Sequence, residues 1–170
     1  MPSSIGHALV ASAIGAPLAP VAPTRRYWIA GIVCAVLPDL DAVGRPFGRG
    51  DLGFLGGHRA LTHSIFFAVA LGLVVAVLAF RDARWQGCRG RVAAYLILAT
   101  AAHGVLDAFA AYGEGVEFLA PFSSVRYAAP WRPLGLVTEI VWIWMPMVLI
   151  IVVVTRWRAS RERAEREAAA

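Results

Sequence analysis

The sequence predicts an all-α polytopic membrane protein, a helical bundle with about five membrane segments, and three observations support this. Hydrophobic residues make up 59% of the 170 positions and charged residues only 16%, whereas an ordinary soluble domain is about 25% charged. Five apolar segments approach or reach the length of a membrane-spanning helix. The 16 basic residues, all of them Arg, are concentrated in alternate connections between those segments. This composition excludes a disordered chain and an ordinary soluble domain.

The five apolar segments comprise residues 5–22, 27–43, 61–80, 92–112 and 134–155. A helix that crosses the hydrocarbon core needs about 20 apolar residues, which the third, fourth and fifth segments provide. Pro17 and Pro20 interrupt the first segment, and the second is short and ends in Pro38-Asp39-Leu40-Asp41. Either could be a broken or re-entrant helix. A cleaved signal peptide is an alternative for the first segment, although no basic residue precedes it.

The arginines predict the orientation of the bundle in a cell (inner) membrane. Five crossings place eleven of them on one side, in the connections 23–26 and 81–91 and after residue 155. The other side has five, which are Arg45, Arg49, Arg59, Arg126 and Arg132. Because cytoplasmic loops carry the excess of Arg, we expect the N-terminus outside and the C-terminus in the cytoplasm. The chain then divides into a membrane-embedded domain, 1–155, and a charged cytoplasmic tail, 156–170.

The tail alternates Arg with Glu, a pattern typical of a solvated helix. The interleaved acids argue against a nucleic-acid partner, and we expect none. The outer loop 113–133 is rich in aromatic residues and turn formers. It could cover a site as a lid or form an interfacial aromatic belt, and the sequence leaves both alternatives open.

Ionisable residues gather at the outer ends of the apolar segments, and all four histidines of the chain are among them. Such residues are costly inside a membrane and are functional candidates by default. The set is His7, Asp39, Asp41, His58, His63, His103, Asp107 and Glu139. Taken singly, each has a structural alternative, such as an interhelical hydrogen bond, or for Glu139 a pair with Arg126 or Arg132. Their common placement favours a shared site.

Imidazoles and carboxylates together make sites for zinc, iron or manganese. His103 and Asp107 lie four residues apart and so share one helix face. Our candidate metal ligands are His7, Asp39, His63, His103 and Asp107. The spacing alone leaves open which of Asp39 and Asp41, and which of His58 and His63, are direct ligands. Because the candidates outnumber the four ligands of one zinc ion, a two-metal site is also possible.

The remaining candidates are assigned to catalysis. Asp41 or Glu139 would act as general base or bridging ligand. His58 would serve as an acid–base or substrate contact if His63 is the ligand. Arg59 and Thr62 would orient an anionic group.

These residues resemble the YdjM-like family of membrane-bound predicted metal-dependent hydrolases. The resemblance runs from about residue 5 to about residue 140, and its motifs are His7, Leu37-Pro38-Asp39-Leu40-Asp41, Gly57-His58-Arg59-Ala60-Leu61-Thr62-His63-Ser64, His103-Gly-Val-Leu-Asp107 and Pro121-Phe122-Ser123. It implies a hydrolase with a divalent metal, zinc being the expected ion. That family is distantly similar to zinc-dependent phospholipases C and single-strand nucleases, whose all-helical fold binds zinc through a similar order of His and Asp. Those enzymes also use a later HxxxE motif, for which this chain has Gly135 and Glu139, so we expect one or two ions.

The leading hypothesis is therefore a membrane-bound metal-dependent hydrolase that acts on a lipid-like or phosphoester substrate at the outer face of the membrane. The alternative is a non-enzymatic protein that binds or transports metal ions or protons. A transporter needs polar residues that lead to the inner side, and the sequence has none between Ser64 and Arg81. A structural metal in a scaffold protein is a third, weaker hypothesis.

Overall fold

The computed structural model describes residues 2–20, 23–43, 52, 56–135 and 137–168, and these residues form helices and loops without a β-strand. The helices are α1 (Ser4–Leu18), α2 (Arg25–Val36), α3 (Ile65–Ala79), α4 (Arg89–Ala108) and α5 (Met145–Ala168). Short 3-10 segments cover Leu37–Ala42, Leu61–His63 and Ala83–Cys88, and a π-helical turn, Ile140–Trp144, leads into α5. The all-α prediction is confirmed. Arg45 and Arg49, residues 21–22 of the first apolar segment and residue 136 of the fifth lie outside the described residues.

Two serines set the starts of helices at the end where the ionisable residues gather. The Ser3 hydroxyl accepts a hydrogen bond from the Gly6 N–H (3.2 Å) and caps α1. The Ser64 hydroxyl accepts one from the Phe67 N–H (3.1 Å) and caps α3. A capping serine satisfies an N–H that the helix itself leaves unpaired. As a result α3 begins at Ile65, and His63 lies in the 3-10 turn before the helix instead of inside it.

The helix Ile140–Ala168 has 29 residues and includes an 18-residue stretch with a mean hydropathy of 2.1, and in the described part of the chain it alone is long and apolar enough to cross a membrane. The helices α1 and α3 are apolar but have 15 residues each, about 22 Å at 1.5 Å per residue. A typical hydrocarbon core is about 30 Å thick. The count of five crossings therefore stays a prediction. The last helix continues without a break past Thr155, where the predicted tail begins.

Helix α4 is the centre of the bundle, because it packs against α1, α2 and α3, while α5 packs against α1. Small residues bring these helices close together. A Cβ added at Gly31 would overlap the Tyr95 hydroxyl, and one added at Gly15 would lie 2.8 Å from the Tyr95 ring. The Tyr95 ring stacks on Tyr27 with centroids 4.4 Å apart. Close approach at small residues is the usual way in which membrane helices gain packing contacts.

Arginines satisfy helix ends at one end of the bundle, here called the arginine end. Arg26 donates to the Ala79 carbonyl (2.9 Å) at the end of α3. Arg158 donates to three carbonyls at the end of α1, those of Ala16 and Pro17 in its last turn and that of Pro20 just after it, at 3.1 to 3.4 Å. The last carbonyls of a helix have no partner within it and carry partial negative charge. The opposite end, here called the site end, is where the ionisable residues lie.

Candidate metal centre

The five predicted metal ligands lie together at the site end. His7 comes from α1, Asp39 from the 3-10 segment after α2, His63 from the 3-10 turn before α3, and His103 and Asp107 from α4. Each has a buried atom with no hydrogen-bond partner among the described residues, namely His7 Nε2, Asp39 Oδ1, His63 Nε2, His103 Nε2 and Asp107 Oδ1. Buried polar atoms are nearly always hydrogen-bonded. Five such atoms in one place are therefore candidates for another kind of partner.

The distances between neighbouring side chains of the cluster are close to those between two ligands of a shared ion. His103 Nε2 lies 3.3 Å from Asp39 Oδ1, and His63 Nε2 lies 3.8 Å from the same oxygen. His63 Nε2 is 3.5 Å from Asp107 Oδ2, and His7 Nε2 is 3.8 Å from Asp107 Oδ1. Two ligands at zinc-like distances in a tetrahedral site are roughly 3.3–3.6 Å apart. The donor set and its spacing therefore fit a divalent cation.

The groups that could hold an ion form two sets that share Asp107. One set is Asp39, His58, His63 and Asp107, and the other is His7, His103 and Asp107. A carboxylate that belongs to both sets can bridge two ions, as in two-metal sites. The structure is therefore compatible with either one ion or two.

Hydrogen bonds on the far side of two imidazole rings turn their Nε2 atoms toward the cluster. His103 Nδ1 lies 2.6 Å from the Ala35 carbonyl oxygen. Because a carbonyl only accepts, Nδ1 carries the proton and Nε2 keeps its lone pair. His63 Nδ1 lies 3.0 Å from the Thr62 hydroxyl and 3.4 Å from Asp41 Oδ2. Partners of this kind fix the tautomer and ring orientation of metal-ligating histidines.

Asp41 connects four groups around the cluster and is completely buried. Its Oδ1 lies 2.7 Å from His58 Nδ1, and its Oδ2 accepts from the Thr62 hydroxyl at 2.6 Å and from the Arg59 N–H at 3.3 Å. Its contact with His63 Nδ1 is the fourth. Both of its oxygens are therefore occupied by hydrogen-bond donors. The geometry makes Asp39 the better ligand of the two aspartates and Asp41 the residue that orients its neighbours.

Arg59 is buried beside Asp107 and adopts an unusual backbone conformation. Its φ of 66° is in the left-handed region, which non-glycine residues rarely adopt. Its backbone is held by the Arg59 N–H bond to Asp41 and by the Arg59 carbonyl, which accepts from the Glu117 N–H at 2.9 Å. Its Nε donates to Asp107 Oδ2 (2.9 Å) and its Nη1 to the Tyr112 carbonyl (3.0 Å). Its Nη2 is buried and has no hydrogen-bond partner within the described ranges.

The outer loop folds onto the site at its beginning and faces outward further along. Besides the Glu117 contact, the Phe118 carbonyl accepts from the Ile65 N–H at 3.0 Å. Gly113 lies so close to the Arg59 guanidinium that a Cβ there would overlap it. In contrast, Phe122 and Trp131 are 81% and 57% exposed. The first part of the loop thus covers the site, as a lid would, and the exposed aromatic rings suit a membrane interface.

Glu139 is also buried, but its partners are Ser3 at the start of α1 and Trp144 in the π-helical turn. Its carboxylate accepts from the Ser3 N–H and the Ser3 hydroxyl, both at 2.9 Å, and from Trp144 Nε1 at 3.1 Å. Arg126 pairs with Glu117, and Arg132 donates to the Gly113 carbonyl. Glu139 therefore anchors the helix that carries His7, and its predicted role as general base or bridging ligand gains no support from these contacts.

Comparison with known proteins places the chain in a family. Residues 1–169 match the family model described as YdjM inner membrane protein. The chain belongs to the YdjM inner membrane protein family. It is 33% identical over 170 residues to the inner membrane protein YbcI of Escherichia coli strain K12, an alignment that covers 89% of this chain and 95% of the relative. No solved structure matches it. The resemblance noted in the sequence is confirmed, and with it the assignment to an inner membrane family.

The charges in the cluster of this YdjM-family protein do not balance. Asp39, Asp41 and Asp107 supply three carboxylates, and Arg59 supplies the one guanidinium that contacts them in the described structure. With neutral imidazoles the formal charge is −2. Burying such charge without compensation is costly. A divalent cation would neutralise the charge of the cluster.

Some contributors were missed by sequence reasoning. The carbonyls of Ala35 and Tyr112 fix His103 and Arg59, and no side-chain pattern reveals a backbone acceptor. Ser3, which holds Glu139, could have been found as a helix-capping residue, because a serine immediately before an apolar helix is a known N-cap signal. Thr62 was expected to meet an anion, yet its hydroxyl donates to Asp41.

Proposed function

We propose that this protein is a membrane-bound metal-dependent hydrolase that acts on a lipid-like phosphoester at the outer face of the membrane. The observation that carries the proposal is the convergence of five buried ligand atoms, next to a buried arginine, that like the arginine's Nη2 have no hydrogen-bond partner among the described residues. The ligands would be His7, Asp39, His63, His103 and Asp107, binding one or two ions. When bound, a divalent ion such as zinc polarises the scissile group and acidifies a water molecule.

Arg59 is the residue proposed to bind the anionic phosphoryl group of the substrate. Its Nε and Nη1 are held by Asp107 and by the Tyr112 carbonyl, so the guanidinium is fixed before a ligand arrives. Its Nη2 is the nitrogen left to donate to a phosphoryl oxygen, an interaction for which a planar guanidinium is well suited. Since Arg59 lies next to a proposed ligand, an anion bound there would be adjacent to the reacting centre.

Proton transfer is assigned to His58. Its Nδ1 lies 2.7 Å from Asp41 Oδ1, which is the relation between an imidazole acid–base group and the carboxylate that orients it. Asp41 would hold the tautomer of His58 and stabilise the charged form of its ring. In this proposal His58 is the base, and Asp41, a candidate base in the sequence, positions it instead.

The confinement of the ligand cluster to one end of the bundle favours hydrolysis over transport. Along α4, the positions between the cluster and the arginine end are filled by Tyr95, Leu96 and Ala99, all of them buried in the apolar core. Tyr27 from α2 stacks against Tyr95 at the same level. A close-packed apolar layer of this kind opposes the passage of ions between the two ends of the bundle.

The metal content of detergent-purified full-length protein tests the proposal. We expect the wild type to bind zinc and the double variant His103→Ala/Asp107→Ala to lose it. Asp82→Asn, an exposed carboxylate at the arginine end that pairs with Arg26, is the control and should keep the metal. Unchanged metal content in the double variant would overturn the metal site.

The hydrolase part is tested separately with the soluble phosphodiester bis-p-nitrophenyl phosphate. Turnover should rise with bound metal and fall strongly in Arg59→Gln at saturating metal. If the metal-loaded protein carries zinc across the membrane of proteoliposomes and cleaves no phosphoester, the proposed function is transport and not hydrolysis.

A further inference from the structure

The proposed ligands differ in their access to the surface. The side chains of His7, His63, His103 and Asp107 have 0% exposure, whereas that of Asp39 is 20% exposed. Asp39 is therefore the place where the ligand cluster reaches the outside of the described structure. A substrate that approaches the cluster meets the chain around Asp39 first.

An apolar groove lies along α2 and the 3-10 segment that carries Asp39. Leu37 and Leu40, on either side of Asp39 in the 3-10 segment, line a groove of about 320 Å³ together with Ile32, Val33 and Val36 of α2. Leu40 is 57% exposed and Val33 52% exposed, so the groove opens to the surroundings of the protein.

A second groove continues the first along α1. It has a volume of about 420 Å³ and shares Ile32 and Val36 with the first groove. Its other wall is the face of α1 formed by Ser4, Ile5, Ala8, Leu9 and Ser12. From Ser4 to Ser12 the wall is about 12 Å long at 1.5 Å per residue. The two grooves form one apolar furrow, here called the α1–α2 furrow, that lies between the two helices and reaches the 3-10 segment carrying Asp39.

We infer that the α1–α2 furrow binds the hydrocarbon chain of the substrate, which is a lipid with a phosphate-containing headgroup. This inference rests on the proposed function. The headgroup would reach the metal ligands past Asp39 and meet Arg59, while the chain lies along Ile32, Val36 and the α1 wall. Placing a chain in an apolar furrow and its charged end at a polar site is the usual way in which a pocket orients an amphiphile.

The location of the furrow distinguishes it from a generic lipid contact. Another apolar groove, about 480 Å³, lies on the last helix and is lined by Ile140, Trp144, Met145, Val148, Leu149 and Val152. Its apolar character is similar, but it is formed by the last helix alone, which carries no proposed metal ligand, whereas the furrow is lined by α1 and the 3-10 segment, which carry His7 and Asp39. The inference therefore predicts headgroup-dependent occupancy for the α1–α2 furrow and headgroup-independent occupancy for the groove on the last helix.

Photo-crosslinking of the full-length protein in nanodiscs tests this difference. The probes are phosphatidic acid and diacylglycerol with the same diazirine-bearing acyl chain, and labelled positions are located by mass spectrometry. We expect the ratio of labelling in the furrow to labelling in the groove on the last helix to be several-fold higher for phosphatidic acid. Ile32→Trp should abolish this excess, and the matched variant Leu149→Trp should retain it.

Metal content is measured on the same samples, so that the two proposals can fail separately. Equal ratios for the two lipids in a metal-loaded wild-type protein would overturn the furrow inference alone. A headgroup-dependent ratio in a protein that binds no metal would keep the furrow as a lipid site and overturn the hydrolase. Retained metal in Ile32→Trp shows that the variant is folded, and loss of the excess in that variant then supports the inference.

Discussion

Replacing Asp41 by Asn should weaken metal binding without removing a ligand. Asp41 Oδ1 contacts His58 Nδ1 at 2.7 Å, while Oδ2 accepts from Thr62 at 2.6 Å and from the Arg59 N–H at 3.3 Å. An amide has an acceptor on one side only. If its oxygen replaces Oδ2, its NH₂ group meets His58 and reverses the tautomer of that ring. If the amide oxygen replaces Oδ1, the NH₂ group faces the Thr62 hydroxyl and the Arg59 N–H, which are both donors.

In both orientations the negative charge next to His63 Nδ1 is lost, and with it the preference for the ring orientation that points Nε2 into the cluster. Loss of such an orienting partner typically weakens metal binding by about 10–100-fold. That range corresponds to about 1.4–2.7 kcal/mol of binding free energy. We expect the zinc Kd of Asp41→Asn to rise within this range.

The Kd is measured by competition with a fluorescent chelator on the purified full-length protein. Asp82→Asn makes the same chemical change at the arginine end, where Asp82 pairs with Arg26 at 2.6 Å, and should leave the Kd unchanged. His103→Ala removes a proposed ligand and sets the upper limit of the effect. If Asp41→Asn behaves like Asp82→Asn, Asp41 does not position the ligands. A loss as large as that of His103→Ala would make Asp41 a ligand itself and would also refute the reasoning.

Two further predictions concern packing and orientation. Gly31→Ala places a Cβ on the Tyr95 hydroxyl and should cost about 1–3 kcal/mol of stability, which is measured as a lower Tm in detergent. The control Gly87→Ala has open space around its Cβ and should change the Tm little. Equal Tm values for the two variants would contradict the close packing of α2 on α4. A reporter fused to the C-terminus should be cytoplasmic, as the excess of Arg after residue 155 predicts, and a periplasmic reporter would reverse the orientation.

Sequence periodicity could predict which end of the bundle the site occupies, but not the exact elements that carry it. His103 and Asp107 share a face of α4 because they are one helical turn apart, and both face the cluster. In contrast, His63 was expected inside an apolar helix and lies before it, because the Ser64 cap ends the 3-10 turn and starts α3. Capping depends on a single hydroxyl, which a hydropathy pattern does not register.

The two aspartates of the Pro-Asp-Leu-Asp motif show most clearly what the sequence could not decide. The motif lies in a 3-10 helix, Leu37–Ala42, in which each residue turns by about 120° because one turn has three residues. Residues two apart therefore point about 120° away from each other, whereas in a strand they would share a face. Asp39 turns to His103 (3.3 Å), and Asp41 turns to His58 and Thr62. The same backbone geometry thus gives two identical side chains different roles. Asp39 is a partly exposed proposed ligand, and Asp41 is a buried residue that orients the other groups. A motif of two carboxylates with this spacing serves both purposes only while the 3-10 turn is kept, so a change that converts the turn to α-helix should impair metal binding even with both aspartates present.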